Sequence, residues 1–297
     1  MPPSAVDSAR PSAARRVATG DQRAVAAESQ IAALDRLNVS VAGPPGVRGP
    51  RVSVVIPALN EARNLPYVFD RLPEDVFEVV LVDGDSTDGT VEVAQSLRPD
   101  VRVVRQTRRG KGNALACGFA ACRGDIIVMI DADGSTDPRE IPAFVAALLA
   151  GADYAKGSRF IDGGGSTDIT RIRRAGNFGL NLLTNALNGT RFSDLCYGYN
   201  AFWRHCLPAL DLETGSVAGA GLQWGDGFEI ETIINVRVAR AGLRMTEVPS
   251  FERPRLHGES NLNAVRDGLR VLRTIARERL RRRASKRPIL QPALHTA

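Results

Sequence analysis

From Val52 the chain alternates short, continuously apolar runs with stretches that read as helices. VSVVIP is followed by a helix from Glu61, EVVLVDG by a helix from Asp88, and VRVVRQ by a helix from Gly112. DIIVMID precedes a helix from Pro138, and ADYAKGSRF closes the series. Runs that are apolar at every position suit parallel strands covered on both faces. The alternation predicts one α/β domain with a mostly parallel central sheet flanked by helices. Ligands in such sheets bind beyond the carboxyl ends of the strands.

The flanks break this pattern. Residues 1–50, with MPPSAVDSARPSAARR and VAGPPGVRGP, have little to bury and read as a disordered tail, though AVAAESQIAALDRL could form a short helix. The catalytic domain is expected over 51–263, and 264–297 as a basic amphipathic helix and tail. The formal net charge of +6 is concentrated there: residues 270–297 carry nine Lys/Arg and one acid. Arg266, Arg270, Arg273, Arg277 and Arg281 fall on one stripe of this helix, and Val265, Leu269, Leu272, Ile275 and Leu280 on another. The helix could lie on an anionic membrane, or dock its apolar stripe on the domain.

No run is long and apolar enough to span a bilayer, and the N-terminus lacks the apolar region of a secretory signal. The expected location is cytoplasmic, with possible peripheral contact with the cytoplasmic membrane face through 264–287. Cys117, Cys122, Cys196 and Cys206 show no paired-ligand spacing and are expected as reduced, packed thiols. Nothing points to nucleic acid as a partner.

The strand ends carry the chemistry. PALNEARN, DGDSTDGT and DADGSTD follow the first, second and fourth strands. Turn and cap preferences account for Asn60 and Asp88, but not for acids recurring at Asp83, Asp85, Asp131 and Asp133. Asp131 and Asp133 share one face of an extended segment because Ala132 points the other way. Two converging carboxylates can hold Mg²⁺ or Mn²⁺, with substrate phosphates completing the shell.

With RRGKGNALACG, KGSRF and the late block EIETIINVRVARAGLRMTEVPSFERPRLHGESNL, these motifs occur in one order. From Val52 to Leu262 the set resembles the family 2 inverting glycosyltransferases of GT-A fold, nearest to the dolichyl- and polyprenyl-phosphate sugar transferases. The resemblance implies metal-dependent transfer of a hexose from a nucleotide sugar, of UDP-glucose or GDP-mannose type, to a polyprenyl phosphate. It implies that Pro57, Asn60 and Glu61 border the nucleotide and that Asp83 and Asp85 hold its base or ribose. Lys111 would lie close to the nucleotide, and Asp131 and Asp133 would bind the metal–diphosphate. Arg159, Arg171, Arg173 and Arg174 would face an anionic acceptor, with Glu229 and Glu231 near the transfer site.

A phosphate nucleophile is already ionised and needs positioning cations, whereas a hydroxyl needs a carboxylate base. Asp194, Asp226, Glu229 and Glu231 are the candidates for that base. A soluble acceptor (a glycan, sugar phosphate or secondary metabolite) fits the absent spans and the Asn261 that stands where the family usually has Lys; Arg253 or Arg255 could replace that contact. His257 is a weaker metal candidate, while Trp203 and Trp224 could stack on a sugar, packing being the simpler expectation for Trp203. A haloacid-dehalogenase-like phosphohydrolase would use Asp131 as nucleophile, but some eighty residues of α/β structure precede it and the GDxxxD partner motif is missing.

Overall fold

The computed structural model describes residues 24–25, 28–29, 31–32, 49–215, 223–259 and 264–281. Four parallel strands carry the first half: β1 (Val52–Ala58), β2 (Glu78–Asp83), β3 (Arg102–Arg105) and β4 (Ile126–Met129). Between them lie helices α1 (Leu65–Asp70), α2 (Thr90–Leu97) and α3 (Lys111–Ala121), and α4 (Ile141–Leu149) follows β4. β5 (Tyr154–Ser158), the short β6 (Gly165–Ser166), α5 (Arg171–Asn188), β7 (Asn200–Trp203) and the single turn α6 (Leu207–Leu210) come next. α7 (Ile230–Ala241), β8 (Met245–Pro249), β9 (Phe251–Glu252) and α8 (Ala264–Leu280) complete the chain.

The main sheet runs β3-β2-β1-β4-β7-β5-β8. The expected fold class holds, with one feature that the apolar runs do not signal. β7 enters antiparallel between β4 and β5, so the fourth and fifth runs are not neighbours. β8 then joins β5 in parallel, and β6 pairs with β9 in a separate two-stranded sheet.

Alternation along each buried strand divides the core in two. Val54 and Ile56 pack with Leu65, Ile141 and Phe144 on one face; Val55 packs with Leu115, Phe119, Ile230 and Ile234 on the other. Glu78, buried at the start of β2, receives Ser53, Arg102, Arg123 and the Arg123 amide. Burial opposes its ionisation, but these hydrogen bonds pull it down to about 2.

A smaller cluster joins Leu180 of α5 and Phe192 and Leu195 to Val271 and Ile275 of α8. The C-terminal helix therefore docks on the domain, but of the apolar stripe read from the sequence only Ile275 is among the docking residues. Val271 and Ile275 face inward with Asp267, Thr274 and Glu278, while Leu269, Leu272 and Leu280 stay exposed. Arg237 of α7 holds the buried Glu278 at 3.0 Å. The side chain of Val265 and residues 282–297 lie outside the described residues. In the N-terminal segment Ile31 is buried and Glu28 pairs with Arg139 and Arg253, so this part is anchored.

Candidate active site

An open cleft of about 630 Å³ lies at the carboxyl ends of β1 and β4. Its floor is charged and its far wall apolar. β4 ends at Met129, so Asp131, Ala132 and Asp133 all line the cleft from the turn that follows it and not from an extended segment. Gly134 then takes φ 77° in the left-handed region, and Asp133 Oδ1 accepts the Ser135 amide at 3.0 Å.

Lys111 is set by the glycines around it. A side chain at Gly110 or Gly112 would collide with the Gly225–Asp226 backbone, and the Gly112 amide donates to Asp226 O at 2.8 Å. This close approach of the RRGKG loop to the loop before α7 brings Lys111 and Glu231 together. Lys111 Nζ lies 2.6 Å from Asp131 Oδ1 and 2.9 Å from Glu231 Oε1. Burial would lower the ammonium, but the two carboxylates outweigh it and hold Lys111 above its usual range.

Arg255 makes a second bridge. Its Nη2 donates to Glu61 Oε1 at 2.5 Å and its Nη1 to Asp133 Oδ2 at 3.3 Å. Burial raises the pKa of both Glu61 and Glu231, against the pull of their cationic partners. Four carboxylates (Asp131, Asp133, Glu61, Glu231) thus face two cations (Lys111, Arg255), a deficit of two positive charges when all are ionised. The donors are hard carboxylate oxygens, and the Asp131 and Asp133 side chains keep 30% and 22% exposure. This set fits one divalent ion completed by phosphate or water. Among the described residues no group of three or more His, Cys, Asp or Glu is gathered for a metal.

Other expected site residues are placed differently. Pro57 and Glu61 line the cleft, but Asn60 does not; it sits at φ 57° and accepts the Thr87 amide at 2.8 Å, locking two loops together. Asp83 accepts the Asp85 and Ser86 amides, and Asp85 pairs with Arg105 at 2.6 Å. Both line a smaller hollow beside β3 rather than the main cleft. Asp137 caps the turn after it and is held by Arg139.

On the acceptor side several expectations need correcting. Arg159 is 4% exposed and its fork is occupied: Nε and Nη2 hold Asp194, and Nη1 holds Glu252 at 2.9 Å. It reaches the cleft wall without a free edge for an anion. Asp194 is fully buried, accepts Asn177 as well, and is not an available base. Asp226 is locked to Arg108 at 2.8 Å, and Glu229 accepts the Gly225 amide outside the cleft lining. Of the carboxylates considered as base, only Glu231 reaches the cleft.

Arg173 lines the cleft and pairs with Asp168 at 2.7 Å; Arg174 stacks over Phe160, and Arg171 is exposed outside the lining. The His257 side chain is exposed and its carbonyl accepts from Arg255, so it does not join the acids. Trp203 packs in the core and donates to Ala152 O. Trp224 lies beneath Arg237 and Arg277 rather than against the cleft. Cys117, Cys122 and Cys206 are buried, but Cys196 is exposed in the cleft, correcting the packed-thiol expectation. Asn261 lies outside the described residues.

Sequence reasoning also missed the far wall. Ile169, Ile172, Leu180 and Val271 line it. Phe178 and Leu182 of α5 and Leu269 and Leu272 of α8 are exposed outside this lining. Ile172, Gly176 and Leu180, spaced four apart along α5, would have revealed this wall.

A family model described as glycosyl transferase family 2 matches residues 53–208. Glycosyltransferase AglJ of Haloferax volcanii is 33% identical over 220 residues, 73% of this chain and 68% of its own. The undecaprenyl-phosphate mannosyltransferase of Micrococcus luteus is 34% identical over 222 residues, 72% of this chain and 88% of its own. Among solved structures, glucosyl-3-phosphoglycerate synthase from Mycobacterium tuberculosis, in complex with Mn²⁺, UDP and glucosyl-3-phosphoglycerate, is 26% identical. It has a TM-score of 0.57 and the match covers 80% of this chain and 85% of that one.

Proposed function

The chain belongs to glycosyl transferase family 2, and from that premise we propose that it moves a hexose from a nucleotide sugar to a polyprenyl phosphate with inversion. The observation that carries the lipid reading is the apolar wall of the cleft, formed by Ile169, Ile172, Leu180 and Val271. A soluble sugar acceptor would have little use for Ile169, Ile172, Leu180 and Val271 in the wall of a charged site. A prenyl chain gains from burying such surface, at roughly 0.8 kcal/mol per methylene.

The donor diphosphate belongs at the charged floor. Asp131 and Asp133 would hold a Mg²⁺ or Mn²⁺ ion, with Lys111 and Arg255 beside it. Such an ion, when bound, neutralises charge developing on the departing nucleoside diphosphate. Arg173 is suited to orient the acceptor phosphate, which needs no general base because it is already ionised. Glu231 would act as base only for a hydroxyl acceptor.

A soluble phosphorylated acceptor is the second reading, favoured by the likeness to glucosyl-3-phosphoglycerate synthase. Also, among the described residues no helix is long and apolar enough to cross a membrane. One experiment separates the two. The full chain is incubated with Mn²⁺ and labelled UDP-glucose or GDP-mannose, with polyprenyl phosphate in vesicles or 3-phosphoglycerate in solution. Label in the lipid extract is expected; label only in the water-soluble product would overturn the lipid acceptor.

A further inference from the structure

Each acid of the D-x-D pair shares its cation with a second, more buried acid: Asp131 shares Lys111 with Glu231, and Asp133 shares Arg255 with Glu61. The Arg255 bridge is uneven, 2.5 Å to Glu61 and 3.3 Å to Asp133. The backbone holds it over the site, with Leu256 N donating to Asp133 O at 3.1 Å and Arg253 N to Ser135 O at 2.8 Å.

We propose that Arg255 is a resident counterion of the metal site, competing for Asp133 and retained by Glu61 when a divalent ion displaces it. The proposal rests on the metal–diphosphate reading above and assigns roles that the reading does not contain. Arg255 lowers the metal affinity of the empty site. Glu61 is a positioning residue that touches no metal but gives the displaced guanidinium a partner. Without Glu61, Arg255 has only Asp133 and competes harder. A cation about 3–4 Å from a ligand oxygen opposes an incoming ion strongly even at an effective dielectric near 20.

Mn²⁺ binding to the full chain, measured by titration calorimetry without nucleotide and again with UDP or GDP, tests this. Arg255→Ala is expected to tighten binding of Mn²⁺ alone by about tenfold, within the usual range for linked sites. Glu61→Gln is expected to weaken it by about threefold in the wild-type background and to have almost no effect beside Arg255→Ala, as a double-mutant cycle would register. Arg255→Lys keeps the charge without the two-pronged reach and should fall between wild type and Arg255→Ala; it serves as the readout if the alanine variant does not fold.

Unchanged or weaker Mn²⁺ binding in Arg255→Ala overturns the exchange, as does a Glu61→Gln effect that persists without Arg255. Asp133→Asn separates this from failure of the underlying reading. If Asp133→Asn leaves Mn²⁺ binding unchanged, or no variant binds Mn²⁺ with or without nucleotide, the site reading falls and the exchange falls with it.

Discussion

The two sides of the cleft use the same residue types in opposite ways. On the floor, Lys111 and Arg255 each hold one partly exposed aspartate and one buried glutamate, so each cation has two acids to choose between. On the far side, Arg159 and Asp194 are 4% and 0% exposed, and Asn177 fills a further position on the carboxylate. A buried, fully satisfied pair specifies structure, and breaking it leaves an uncompensated charge. A partly solvated pair with a spare partner can exchange. Access and alternative partners, not the identity of the charge, separate the working acids from the framework.

The sharpest way to break the comparison is Arg159→Ala. It should lower stability to urea by about 3–5 kcal/mol, because Asp194 is left buried and unpaired. A variant of wild-type stability with lost acceptor binding would return Arg159 to the acceptor site. Asp133→Asn is the counterpart on the floor. It should leave the urea midpoint nearly unchanged while reducing turnover by about 10²–10³-fold, roughly 3–4 kcal/mol of transition-state stabilisation.

Arg173→Ala sharpens the contrast within the acceptor side. Losing one charge-assisted phosphate contact, worth about 1.5–3 kcal/mol, should raise KM for a phosphorylated acceptor by about a decade or more with donor affinity unchanged. An unaltered acceptor KM would remove Arg173 from the site.

A pH-dependent expectation concerns Glu140, which joins the turn after the D-x-D loop to Ser250 and Phe251. Burial pushes its carboxyl up to about 8, above its unfolded value. The folded state therefore takes up a proton first as pH falls, and this group's contribution to stability declines as pH rises from about 4.5 through 8. Glu140→Gln should flatten that decline, so its stability relative to wild type rises between pH 5 and pH 9 in thermal melts. An identical pH profile for both proteins would exclude the effect.

The parallel strands and the acids at their ends were legible in the sequence, because both depend on local patterning. Apolar runs mark strands buried on both faces, and the acids that follow them mark the rim where ligands bind. The glycines flanking Lys111 were also legible as a motif, though not the reason for them, which is the approach of the Gly225–Asp226 backbone. Which charges can exchange partners depends on contacts between residues far apart in the chain. Arg255 meets Asp133 across 122 positions and Glu61 across 194, and Arg159 meets Glu252 across 93. β7 likewise entered the sheet by pairing with β4 and β5, strands remote in sequence. An arginine reads the same in a sequence whether water, a substrate or a buried carboxylate neutralises it. Its role follows from desolvation and partner geometry, and long-range topology sets both.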